Sequence, residues 1–115
     1  MELSMKDKRI IIEWRIPELK RTYENLSDKE PIKKKIDKAI EKIKENPGRA
    51  GNPIAHRLIP KEYKEFPNAF HLKLSKDWRL IYSITGINEI EILAIILDWF
   101  NNHKDYEKKF KYKVR

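Results

Sequence analysis

The chain has 115 residues, enough for one modest hydrophobic core, and a single domain over residues 1–115 is expected with no room for a separate substrate domain. It carries 26 Lys and Arg against 18 Asp and Glu, a net charge of +8 at 40% apolar content, which fits a folded protein with a basic surface rather than a disordered tail. Cysteine is absent, so disulfides and thiolate zinc sites are excluded, and His56, His71 and His103 are too scattered to suggest a metal site.

The first residues, MELSMKDKR, lack the apolar core of a signal peptide, and no apolar run approaches the roughly 18 residues of a membrane span, so a cytoplasmic protein is expected. The charge balance favours polyanionic partners. Nucleic acid ranks first, an acidic protein second, and an anionic membrane far behind, because no amphipathic segment pairs a basic face with exposed Trp or Phe.

Arg9 to Arg15, RIIIEWR, is a β-branched run bounded by charge and predicts a first strand. Pro17 suits the first turn of a short helix to about Asn25, with Leu19, Tyr23 and Leu26 on one side. A second helix over Asp28 to Glu45 has Ile32, Ile36, Ala39, Ile40 and Ile43 at core spacing and Lys and Glu elsewhere. Ser27 and Glu30 have the capping-box form for its start, while Pro31 would start it one turn later. Asn46-Pro47-Gly48 ends it, and a loop continues through Asn52-Pro53. Ala55 to Pro60 reads as a short edge strand or part of a long connection, and Lys61 to Asn68 is polar.

Phe70 to Tyr82, FHLKLSKDWRLIY, reads as a β-hairpin turning at Ser75-Lys76-Asp77. Alternation places Phe70, Leu72 and Leu74 on one face and His71 and Lys73 on the other, joined by Arg79 if the register pairs the strands that way. A turn at Gly86 to Glu89 precedes Ile90 to Leu97, whose nearly continuous apolar sequence predicts a central strand. Asp98 to Asn102 is expected to leave the sheet, and His103 to Tyr112 to form a closing helix in a basic tail of +4. The sum is a small α+β domain: an N-terminal strand and two helices packed on one face of a mainly antiparallel twisted sheet, the other face left free for a ligand.

This order, with Glu45-Asn46-Pro47-Gly48-Arg49 before the sheet, Phe70-His71-Leu72-Lys73-Leu74 followed by Asp77-Trp78-Arg79-Leu80-Ile81-Tyr82, and His103-Lys104-Asp105-Tyr106 near the end, resembles the RelE/ParE toxin superfamily of type II toxin-antitoxin systems over roughly Ile10 to Tyr112. The resemblance implies a metal-independent and cofactor-free ribonuclease that enters the ribosomal A site, cleaves the messenger there, and is silenced by a cognate antitoxin that is acidic and partly disordered when free. In that chemistry the ribose 2′-oxygen attacks the adjacent phosphorus, which calls for a proton acceptor, cations around the phosphorane and an acid for the leaving 5′-oxygen.

Carried over by position, the resemblance implies that Lys73 is base or electrostatic helper, with His71 beside it, and that Arg79 stabilises the phosphorane. It makes His103 the general acid and Tyr106 a residue that orients or stacks on the base. Lys104, Lys76 and Arg57 would be further substrate contacts, and Asp77 would orient a histidine. No arginine lies between Trp99 and Lys104, which makes the histidine-using HigB, YafQ and YoeB branch the nearer comparison. Simpler readings stand beside these: His103 as a helix cap, His71 as a solvent-facing strand residue, Arg79 in a salt bridge with Glu91 or Asp77, and Trp78, Trp99 and Phe100 as core or partner surface. A non-enzymatic module of the same fold, such as a gyrase inhibitor of the ParE kind or a degenerate toxin that only binds its antitoxin, is the alternative function.

Overall fold

The β-branched run at the start forms strand β1 (Arg9–Trp14), and a computed structural model describes residues 9–66, 68–75, 78–88 and 91–100 of the chain. Helices α1 (Pro17–Glu24), α2 (Pro31–Glu45) and the single turn α3 (Pro47–Ala50) follow. Each starts on a proline, whose fixed φ suits a first turn where its missing N–H has no partner to lose. Strand β2 (Asn52–Pro53), β3 (Ala69–Lys73), β4 (Arg79–Ile87) and β5 (Glu91–Phe100) complete a five-stranded sheet in the order β1-β5-β4-β3-β2. Every neighbouring pair is antiparallel except β1 with β5. The chain is therefore a small α+β domain with a mixed sheet. None of the helices among the described residues is long and apolar enough to cross a membrane.

One face of the sheet carries the helices. The α2 stripe of Ile36, Ala39 and Ile43 is buried against Leu72, Leu80, Tyr82 and Ile84 and against Ile92, Ala94 and Ile96. Removing each such isoleucine from water contributes roughly 1.5–3 kcal/mol. Leu19 and Tyr23 of α1 extend this layer, Tyr23 lying 5.0 Å from the Trp14 ring and donating a hydrogen bond to Asp37 of α2. Helix α2 begins at Pro31 rather than Asp28; the Ser27 N–H and the Glu30 carboxylate do bond, but across the turn that precedes the helix.

The opposite face is not left free along its whole length, contrary to the expectation from sequence. Residues 54–66, with single-turn 3-10 helices at His56–Leu58 and Lys61–Tyr63, fold over it. They form a second apolar cluster of Ile54, Ile59 and Tyr63 with Ala69, Ile81 and Leu97. The segment at 55–60 is thus a cover, not an edge strand. Strand β5 also runs on through Asp98, Trp99 and Phe100, which the sequence places outside the sheet. The register slips by one residue there, from Ile81 opposite Asp98 to Tyr82 opposite Ile96. This bulge lets both Leu97 and Asp98 address the second face, where strict alternation would have sent one of them toward the helices.

Two fully buried tyrosines tie the connections to the sheet. The Tyr82 hydroxyl donates to the Pro47 carbonyl (2.6 Å) and accepts from the Gly51 N–H (2.9 Å), while its ring stacks on Phe70. The Tyr63 hydroxyl donates to Asp98 at 2.7 Å. Burial pushes the Tyr82 phenol up to about 12, and burial followed by the Asp98 carboxylate raises Tyr63 further. Unfolded tyrosines ionise near 10, so above that pH the unfolded chain gives up protons the folded chain keeps. Stability is expected to be intact below pH ~10 and to fall as the pH climbs toward the folded values. Urea midpoints measured on either side of pH ~10 check this, and Tyr82→Phe should flatten the fall.

Candidate functional site

Strands β3 and β4 pair with Lys73 opposite Arg79 and His71 opposite Ile81. Residues directly opposite share a face and residues two apart on a strand share it too, so Lys73, Arg79 and His71 stand together on the side away from the helices. The condition attached to Arg79 is therefore met. The next strand adds Phe100 opposite Arg79 and Asp98 opposite Ile81.

Lys73 is exposed, whereas His71 and Arg79 are half-buried. Arg79 does not bridge to Glu91, which lies at the far end of β5 and pairs with Arg9. Its Nη1 donates instead to the carbonyls of Ser75 and Trp78, both at 3.1 Å, which fixes the guanidinium at the hairpin end. Burial lowers the pKa of His71 below its usual 6.5, and the Arg79 charge lowers it further. The imidazole is consequently neutral at physiological pH and able to accept a proton. Its Nδ1 atom is buried.

Beside this group lies a polar network that the sequence does not signal. Asp98 accepts from Tyr63, its other oxygen accepts from the Trp99 N–H (2.8 Å), and the Arg15 guanidinium sits 4.9 Å over the Tyr63 ring while donating to the Leu97 carbonyl. Tyr63 comes from a stretch that reads simply as polar, and its partners are distant in the chain, so only the fold reveals them.

Arg57 is exposed in the first 3-10 turn of the cover. His56 lines an open groove of about 550 Å³ between the cover and the β3 edge, shared with Lys64, Asn68 and Phe70 but with none of the three clustered residues. His103, Tyr106, Lys104, Lys76 and Asp77 lie outside the described residues. Among the described residues no cluster of His, Asp and Glu could hold a metal ion. Comparisons with known protein families, with curated proteins and with solved structures find no match.

Proposed function

We propose that the chain is the toxin of a type II toxin-antitoxin pair and cleaves messenger RNA on the ribosome by 2′-hydroxyl attack on the adjacent phosphate, without a metal ion. The observation that carries this reading is the cross-strand pair of Lys73 and Arg79 with His71 on the same sheet face, its pKa lowered by burial and by Arg79. Two adjacent cations favour a phosphate over open solvent, and an imidazole already stripped of its proton suits the acceptor role. His71 would take the 2′ proton, and Lys73 and Arg79 would balance the charge that builds on phosphorus. The acid would be His103, with Tyr106, Lys104, Lys76 and Arg57 contacting the substrate. Phe100 at the end of β5 stands opposite Arg79, and His103 follows it by three positions in the sequence. An acidic antitoxin would neutralise the face.

One observation favours a second reading, a binding module that inhibits gyrase or only engages its antitoxin: Arg79 is already bonded to hairpin carbonyls, as a purely structural arginine would be.

Primer extension on a defined messenger, with and without ribosomes and with EDTA on the naked RNA, separates the two. Cleavage should need ribosomes and be lost in His103→Ala. Arg79→Lys keeps the charge but loses the planar fork, and a drop of more than about tenfold, roughly 1.4 kcal/mol of barrier, is expected. No cleavage by the folded protein under any condition would favour the binding module.

A further inference from the structure

Strand β1 is an edge of the described sheet, pairing only with β5 there, and none of its six residues is buried. Edge strands normally resist pairing through proline, inward charge or shortness. This one instead presents Ile10, Ile11 and Ile12 in a row, with an open groove of about 280 Å³ beside Ile12, Glu13 and Trp14. We propose that β1 is a homodimer interface, on which a second copy of this chain adds its own β1 antiparallel about a two-fold axis through Ile11, joining the two sheets into one.

The register follows from geometry and charge. In an antiparallel ladder, directly opposed residues turn their backbone groups either toward each other or away together, so a self-paired strand must have its two-fold axis at a residue rather than between residues. An axis at Ile12 sets Arg9 against the partner's Arg15, and one at Glu13 sets that carboxylate against its own copy. An axis at Ile10 sets Arg9 against an isoleucine. Centring on Ile11 opposes Arg9 to Glu13 twice and Ile10 to Ile12 twice. Arg9 already neighbours Glu91 on β5, so the pairing would place each Arg9 between two carboxylates on adjacent strands. Glu13 is exposed and makes no ion pair among the described residues. On the helix side, Ile10 and Ile12 already pack at the margin of the α2 core, and pairing would continue that apolar layer across the axis.

Sedimentation velocity on the full chain over a concentration series should show a monomer-dimer equilibrium. Glu13→Arg and Arg9→Glu should each sediment as monomers with unchanged circular dichroism, because each opposes like charges twice. Mixed in equal amounts they should regain the dimer, since one chain then carries arginine at both positions and the other carries glutamate at both. The chain has no cysteine, so Ile11→Cys introduces one thiol that should join two chains through a disulfide across the axis, where facing Cβ atoms are about 5 Å apart. A monomer at every concentration would overturn the proposal and leave the edge to a foreign strand. A dimer that neither charge reversal weakens, with no disulfide at position 11, would overturn it as well.

Discussion

Gly51→Ala is expected to cost about 2–6 kcal/mol, a large share of the roughly 5–15 kcal/mol that stabilises a typical domain. Gly51 links α3 to β2 where the backbone comes up against β3, and a Cβ built on it would stand 2.7 Å from the His71 carbonyl oxygen and 3.1 Å from the Tyr82 ring. The obstructing atom is backbone held in a sheet, so it cannot swing aside as a flexible side chain would. Overpacking of this kind typically costs about 1–3 kcal/mol, much the same as is lost when a buried polar group is stranded. Both apply, because moving Gly51 away breaks the bond its N–H donates to Tyr82. Urea unfolding monitored by circular dichroism reads the loss. Tyr82→Phe should cost roughly 1–3 kcal/mol, since it leaves the Pro47 carbonyl and Gly51 N–H without their buried partner. In the double variant the two costs should sum to more than the total, because they share one hydrogen bond. A near-neutral Gly51→Ala would mean that the approach of β2 to β3 yields more readily than its packing implies.

Local periodicities make much of this fold legible in the sequence. Ile36, Ala39 and Ile43 recur at helical spacing and face the core, and Phe70, Leu72 and Leu80 alternate as a hairpin must. Alternation also determines that Lys73 and Arg79 share a face with His71 once the turn fixes the register. What is not legible depends on contacts between distant segments. The parallel pairing of β1 with β5 leaves no local mark. Asp98 reads as the end of a strand because a carboxylate follows an apolar run, whereas the one-residue bulge carries the strand on and aims that carboxylate at Tyr63. The cover at 54–66 escapes a sequence reading because single-turn 3-10 helices are too short to show a period.

Lys73→Ala is expected to reduce ribosome-dependent cleavage by at least about 100-fold, some 2.7 kcal/mol of barrier, while leaving the urea midpoint almost unchanged. The asymmetry follows from position. Lys73 is exposed, so truncating it removes little packing, yet it stands directly opposite Arg79, and any phosphate seated between the two would lose half of its cationic cradle. The same seat makes the pH profile informative. In the proposed reaction the proton acceptor is neutral His71, and burial together with Arg79 lowers its pKa below 6.5, so activity should persist below pH ~6.5 before falling on the acid side. Removing the Arg79 charge relieves part of that lowering, and Arg79→Gln should move the acid limb upward in pH as well as slow the reaction. Stability carries the same sign: the folded chain resists protonating His71, so its contribution is present above the unfolded pKa and lost as the pH falls toward the folded one. Single-turnover cleavage measured from about pH 5 to 8 in wild type, Arg79→Gln and His71→Gln tests the assignment, since His71→Gln should abolish the acid limb along with most of the rate. An acid limb that survives in His71→Gln would transfer the proton acceptor to another group and leave His71 a structural residue of β3.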